Sequence, residues 1–200
     1  MATKLELPSV TLIALTNKNL KEHEEAIAKS TDGIDFGAVK LVVDYRCNSI
    51  DEWNRKIIYE LHNYVQTSHC LLIHADGYVV FPEVWRDKWL EYDYIGAPWP
   101  LPKDDYSYRT PEGDLVRVGN SVSLRSKRIL QLPSILNLPW KSYYGNTNED
   151  GFLCCHNRRI LEENGCRFAP LEEAFHFSKE HEIEENKEIT KTFAFHQVDL

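Results

Sequence analysis

The sequence predicts a single α/β domain with a mostly parallel central sheet flanked by helices. Strand and helix patterns alternate in the first part of the chain, as is typical of parallel sheets. Apolar runs at residues 10–15, 39–43 and 70–74 predict three buried strands. Apolar residues at helical spacing predict the intervening helices at residues 20–29 and 51–64. A chain of 200 residues is long enough for one sizeable core.

The second half of the chain predicts a long loop and a smaller set of strands and helices. Residues 94–111 are rich in Pro, Gly, Asp and Tyr, which predicts a long surface loop. The charge run at residues 178–191 predicts a solvated helix or loop. The remaining predicted elements are strands at residues 115–124 and 193–196 and helices at residues 126–132 and 149–164.

Composition and charge exclude several classes of protein. With 23 basic and 31 acidic residues the net charge is −8, which argues against a nucleic-acid partner. The five cysteines show no CxxC spacing, so we expect free thiols in a reducing compartment rather than a disulfide framework or a zinc site. No apolar run approaches the roughly 20 residues of a membrane span. We therefore expect a cytoplasmic domain with no membrane span.

The first candidate site follows the third predicted strand, where His74 and Asp76 precede Gly77. Ligands of open α/β sheets bind at the carboxyl ends of the strands. A carboxylate there suits a cation that bridges two phosphates, since such an ion takes few protein ligands. The alternative is that Asp76 only opens a turn with Gly77, which is a common use of Asp-Gly.

Three further features lie later in the chain. Residues 119–121, Gly-Asn-Ser, form a turn that lets the backbone approach a ligand closely, or an ordinary strand connection. Glu149 and Asp150 stand at a predicted helix start, where an acid can cap the helix or take a proton from a hydroxyl group. His196 lies in the aromatic segment at residues 193–196 and is either a ligand or a packing residue.

Taken in order, these features resemble the GT-A glycosyltransferase fold, a modified Rossmann fold with a DxD metal motif, a glycine-rich loop, an xED motif and a late histidine. Residues 53–55, Trp-Asn-Arg, are similar to the nucleotide-contacting FNR segment of β-1,4-galactosyltransferases, and VGNSVSLRS is similar to their GGxSxxS segment. The chain resembles the DUF5672 family around IHADGYV, EYDYIGAPWP, VGNSVSLRS, EDGF, FAP and FAFH. A glycosyltransferase domain of chlorella-virus proteins is a further likeness, which would imply the host cytoplasm.

The resemblance implies one catalytic domain over residues 1–200, which could be a piece of a longer protein. It implies metal-dependent transfer of a hexose or 6-deoxyhexose, such as glucose or rhamnose, from a UDP-sugar to a glycan or glycoprotein, with inversion. Mn²⁺ or Mg²⁺ would be held by Asp76 and His196, and Asp150 would be the catalytic base. His74 replaces the first acid of the DxD motif, which leaves the choice of metal open. The implied donor-binding residues are Thr16, Asn17, Trp53, Asn54, Arg55, His74, Ala75, Asp76, Gly119, Asn120, Ser121 and Glu149.

The sequence leaves two other functions and the role of one aromatic residue undecided. A module that binds a sugar nucleotide or glycan without turnover is disfavoured by the retained Glu149, Asp150 and His196. A nucleotide-sugar hydrolase is compatible with all of these residues, because hydrolysis is the same chemistry with water as the acceptor. Trp99 could stack on a sugar face or pack in the core.

Overall fold

The structure is a computed structural model that describes residues 4–142 and 148–197. The strands are β1 (Leu5–Thr16), β2 (Ile34–Val43), β3 (His69–Ile73), β4 (Gly77–Val79), β5 (Tyr94–Pro98), β6 (Val118–Ser126), β7 (Ser178–Lys179) and β8 (Ala194–His196). The helices are α1 (Leu20–Thr31), α2 (Ile50–Glu60), α3 (Lys127–Ile135), α4 (Glu149–Gly151), α5 (Arg158–Glu163) and α6 (Leu171–Phe177). Short 3₁₀ turns cover Leu61–Tyr64, Pro82–Val84 and Asp87–Glu91, and a π-helical turn covers Phe152–His156.

The central sheet has the strand order β2-β1-β3-β6-β5. Strand β1 pairs in parallel with β2 and β3, whereas β6 pairs antiparallel with β3 and β5. The sheet is therefore mixed, and the expectation of a mostly parallel sheet holds only for β2, β1 and β3. Apolar patterns indicate a strand but not its direction, and no helix lies between β5 and β6 to carry the chain back for a parallel pairing.

Strand β1 is buried because apolar layers cover both of its faces. Every residue of the segment 10–16 is buried. Ile13 and Leu15 belong to one hydrophobic core, and Leu12 and Ala14 belong to the other. The alternation of side chains along a strand thus places the sheet between two apolar layers. The continuous apolar run that predicted this strand is the signature of burial on both faces.

Strand β5 begins inside the segment that was expected to be a loop. All five residues of Tyr94–Pro98 are buried, and the strand pairs with β6. The loop itself covers residues 99–117. The Pro and Gly that predicted a loop are tolerated here because β5 is an edge strand of the central sheet.

Trp99 packs in the core directly after β5. Its side chain is 4% exposed and stacks on the ring of Tyr108, with ring centroids 4.8 Å apart. The Trp99 ring also lies against Gly119 of β6 so closely that a Cβ atom at Gly119 would overlap it. Of the two alternatives left by the sequence, the structure gives the packing role to Trp99.

The predicted helix at residues 149–164 is interrupted. Helix α4 runs into the π-helical turn Phe152–His156, where the amide of Asn157 donates to the carbonyl of Phe152 at 3.0 Å, before α5 continues. Gly165 ends the segment with a φ of +82°, in the left-handed region that favours glycine. The expected helix end is therefore confirmed.

A second, three-stranded sheet has the order β4-β8-β7. Gly77 of β4 lies opposite His196 of β8, and Lys179 of β7 lies opposite Phe195. The charge run at residues 178–191 thus begins with a two-residue strand, where a solvated helix or loop was expected. Ser178 in this strand is fully buried. This sheet brings the end of the chain to the segment that follows β3.

All five cysteines are free and buried, as the sequence predicts. Within residues 4–142 and 148–197, no helix is both long enough and apolar enough to span a membrane.

Candidate functional site

A cleft of about 760 Å³ opens where the three parallel strands β1, β2 and β3 end. Its size is that of a typical small-molecule site, and its place is where ligands of open α/β sheets bind. The lining residues are Leu15, Thr16, Asn17, Lys18, Asn19, His23, Cys47, Asn48, Ser49, Ile50, Trp53, Asn54, His74, Ala75, Asp76, Asn148, Glu149, Asp150, Glu180, His196 and Gln197.

The cleft gathers most of the site residues that the sequence predicts. The predicted residues in its wall are Thr16, Asn17, Trp53, Asn54, His74, Ala75, Asp76, Glu149, Asp150 and His196. Arg55 is exposed on the other side of α2 and lines a separate depression of about 370 Å³. Gly119 lies under Trp99 and outside this lining. Asn120 and Ser121 lie in β6, and their side chains are outside the described part of the structure.

Asp76 and His196 meet in the cleft. The register of β4 and β8 places them together, with 3.2 Å between Oδ1 of Asp76 and Nε2 of His196. Burial opposes ionisation of Asp76, but the neighbouring His196 imidazole and hydrogen bonds hold the pKa of this carboxyl below its ordinary value. His74 lies next to this pair, with its ring centroid 5.2 Å from that of His196 and 5.6 Å from that of Trp53.

Glu180 belongs to the same cluster and was not predicted from the sequence. Its Oε1 lies 3.2 Å from Nδ1 of His196, and both side chains are only 10% exposed. Glu180 directly follows β7 within the charge run, where nothing in the sequence separates it from the other acids. The pairing of β7 with β8 is the information that places it here.

The Asp76 and His196 pair fits the implied divalent cation. Octahedral ligands about 2.1 Å from an ion and at right angles lie about 3.0 Å apart. The observed separation of 3.2 Å allows both atoms to face one ion. No group of three His, Cys, Asp or Glu side chains among the described residues could hold a metal ion. At this pair the chain would supply two ligands, Asp76 and His196, and oxygen atoms of a phosphate ligand and water would complete the shell.

Asp150 has an unusual protonation equilibrium. Burial and the negative charge of Glu149 raise the pKa of the Asp150 carboxyl to about 8. The amide of Gly151 donates to its Oδ1 at 2.6 Å, which opposes the rise. A carboxyl group with a pKa near neutrality in a ligand-sized cleft is a candidate acid or base.

Glu149 is the partner of Arg125 in a buried ion pair. Its two carboxylate oxygens lie 2.9 and 2.7 Å from the two terminal nitrogens of Arg125, which is 0% exposed. Nε of Arg125 donates to Ser123 at 2.8 Å. The pair joins α4 to the middle of the central sheet and so fixes the start of the helix that carries Asp150. Glu149 lines the cleft, but its carboxylate is engaged by Arg125.

Asn54 lies in the cleft wall with a buried side-chain amide. Its Oδ1 accepts from the amide of Glu149 at 3.4 Å, which turns the amino group the other way. Asn54 is 2% exposed, and Nδ2 has no hydrogen-bond partner among the described residues. Buried donors in proteins are nearly always satisfied, by protein groups, ordered water or a ligand.

At the end of β1, polar side chains fix the backbone. The indole nitrogen of Trp53 donates to the carbonyl of Leu15 at 3.1 Å, and the side-chain amide of Asn17 donates to the carbonyl of Cys47. Thr16 forms hydrogen bonds with the backbone of Lys18. Among the described lining residues, Lys18 is the single lysine or arginine, and its side chain is exposed.

The architecture is a mixed α/β sheet with a polar cleft at the ends of its parallel strands. The structure is similar to the crystal structure of a glycosyltransferase involved in the glycosylation of the major capsid of PBCV-1, with a TM-score of 0.61 and 11% sequence identity. The superposition covers 95% of this chain and 93% of that chain. At this identity the likeness concerns the fold.

The chain belongs to the DUF5672 family. The model of this family, which is described as a protein of unknown function, matches residues 40–196. This range contains every cleft residue that follows β1 and α1, apart from Gln197. A comparison with curated proteins gives no match.

Proposed function

We propose that this chain is a metal-dependent glycosyltransferase that takes its sugar from a nucleotide diphosphate donor. The observation that carries the proposal is the pair formed by Asp76 and His196, which could share one cation in a cleft that also holds Asp150. The glycosyltransferase-like fold supports the same reading. UDP is the donor nucleotide we infer from the GT-A likeness, with a hexose or 6-deoxyhexose as the sugar and a glycan or glycoprotein as the acceptor.

In the proposed transfer reaction the cleft residues have different roles. When bound by Asp76 and His196, Mn²⁺ or Mg²⁺ supplies positive charge to the diphosphate leaving group. Lys18 adds a second positive charge from the end of β1, in a cleft that is otherwise acidic. In this proposal the amino group of Asn54, which has no hydrogen-bond partner within the described parts of the chain, donates to an oxygen of the donor.

Asp150 is the base in the proposed reaction. Its carboxylate accepts the proton of the acceptor hydroxyl as that oxygen forms a bond to the anomeric carbon and the bond from this carbon to the diphosphate breaks. One displacement inverts the anomeric centre. The raised pKa of Asp150 suits a group that must both take and later release a proton near neutral pH.

Calorimetry with UDP-glucose and other nucleotide sugars tests the proposal, with Mn²⁺ present or removed by EDTA. We expect donor binding that is lost in EDTA and restored by Mn²⁺. Affinity that is unchanged in EDTA would exclude the metal role of Asp76. The donor that binds is then incubated with a panel of glycan acceptors. Transfer of the sugar supports the proposal, whereas release of free sugar without transfer would identify a hydrolase.

A further inference from the structure

We propose that Glu180 is the positioning residue that holds the His196 imidazole so that its Nε2 faces Asp76 and the cation. The inference rests on the proposed function, because the cation is part of that function. Glu180 itself does not touch the cation in this proposal. It acts through the ring of His196.

The distances assign one nitrogen of His196 to each neighbour. Nδ1 lies 3.2 Å from Oε1 of Glu180, and Nε2 lies 3.2 Å from Oδ1 of Asp76. A histidine that binds a metal through one nitrogen donates the hydrogen on the other, most often to a carboxylate or a carbonyl oxygen. In the proposed arrangement Nδ1 donates its hydrogen to Glu180, and the Nε2 lone pair faces the cation.

The fold places Glu180 at this nitrogen. Because Lys179 lies opposite Phe195 in the parallel pair of β7 and β8, Glu180 and His196 follow as neighbours at the ends of the two strands. Both side chains are 10% exposed, so water competes weakly for their contact. Gly77 packs on the same ring, since a Cβ atom there would lie 2.7 Å from Cδ2 of His196.

The neighbouring acids of the charge run lack this environment. Glu182 and Glu184 have side chains that are 74% and 81% exposed, and they lie 3.7 and 2.5 Å from the amines of Lys179 and Lys187. Glu182 follows Glu180 by two residues and therefore provides a matched control. A substitution there removes one negative charge from the same segment without touching His196.

The first measurement uses metal-free protein and nuclear magnetic resonance of the His196 ring. We expect wild type to show a protected, hydrogen-bonded Nδ1 proton. Glu180→Ala should lose that signal, Glu180→Gln should keep a weaker one because its amide oxygen still accepts, and Glu182→Ala should match wild type. A His196 ring spectrum that is unchanged in Glu180→Ala would overturn the inference. This measurement requires neither metal nor nucleotide, so it decides on Glu180 even if the proposed function fails.

The second measurement is calorimetric titration of Mn²⁺ in the presence of UDP. Loss of an outer-shell partner typically weakens metal binding by about 10–100-fold, and we expect this for Glu180→Ala, with partial recovery in Glu180→Gln. Glu182→Ala should bind as wild type does. Equal weakening in Glu182→Ala would show a general charge effect and overturn the positioning role. If Glu180→Ala does not fold, both measurements are made on Glu180→Gln. Wild type that binds no Mn²⁺ would refute the proposed function instead.

Discussion

At the scale of single residues, environment separates two neighbouring acids of similar chemistry. Glu149 is matched by Arg125 in a buried pair, which commits it to holding α4 against the sheet. Asp150 is half-buried beside Glu149, and desolvation together with the charge of Glu149 raises its pKa. The sequence predicts that an acidic pair lies at a helix start. It could not predict which acid is paired, because Arg125 is 24 residues away and reaches Glu149 only through the fold.

Asp150→Asn tests the catalytic assignment. Loss of a general base typically lowers the rate by about 10²–10⁴-fold, so transfer should fall by this factor while the affinity for the UDP-sugar stays near wild type. Asp105→Asn, in the loop at residues 99–117, is the control and should transfer as wild type does. If transfer survives in Asp150→Asn, the acid is structural. Anomeric analysis of the product adds a separate check, since retention of configuration would contradict a single displacement.

The same substitution should change how stability depends on pH. The pKa of Asp150 is about 8 in the folded protein and about 4 in an unfolded chain. Between these values the folded state binds more protons than the unfolded state, so stability falls as pH rises from about 4 to 8. Asp150→Asn removes this loss. Thermal unfolding of the metal-free proteins should give a higher melting temperature for Asp150→Asn than for wild type at pH 9. The difference in melting temperature should be smaller at pH 4.5. An equal difference at both pH values would argue against the raised pKa.

At the scale of elements, the apolar pattern predicts strands and helices wherever the core alone decides them. Strands β1, β2 and β3 and helices α1 and α2 lie where residues 10–74 predict them. The observed β1, β2 and α1 are longer than predicted, β3 begins and ends one residue earlier, and α2 ends at Glu60, where a 3₁₀ turn follows. Strand β5 was missed because its Pro and Gly resemble a loop, although an edge strand tolerates both. The apolar pattern also could not predict the direction of β6 in the sheet. Direction depends on the connection from β5, which carries no periodic signal.

Gly119→Ala tests whether the glycine serves packing or donor binding. A Cβ atom at Gly119 would overlap the Trp99 ring, and overpacking of this kind costs about 1–3 kcal/mol. We expect a lower melting temperature and unchanged donor affinity in the folded protein. Replacing Trp99 by Leu in the same chain should restore part of the loss, because the two residues are in contact. Weaker donor binding with unchanged stability would return Gly119 to the donor-binding role that the resemblance implies.

At the scale of the whole molecule, the cleft is assembled from segments far apart in the chain. Its lining runs from Leu15 at the end of β1 to Gln197 after β8. The ends of the parallel strands were predictable as a meeting point, because parallel strands present their carboxyl ends at one edge. The approach of Glu180 was not predictable, since it depends on the small sheet β4-β8-β7.

A ligand that joins these segments should stabilise the whole domain. Ligand at a concentration 100 times its Kd stabilises the native state by about 2.7 kcal/mol. For a chain of 200 residues, each kcal/mol raises the melting temperature by about 2–4 °C. Mn²⁺ together with UDP should therefore raise the melting temperature of wild type by about 5–11 °C, and either alone should raise it less.

His196→Ala separates this stabilisation from packing. Because His196 is a cation ligand in the proposed function, the variant should lose most of the increase in melting temperature caused by Mn²⁺ with UDP. Its melting temperature without metal should stay within a few degrees of wild type, since a ring held between Asp76 and Glu180 at the cleft wall contributes little to the apolar cores. Differential scanning fluorimetry measures both quantities on the same samples. A large loss of stability without metal, combined with a preserved response to Mn²⁺ and UDP, would make His196 a packing residue and leave the cation with Asp76 alone.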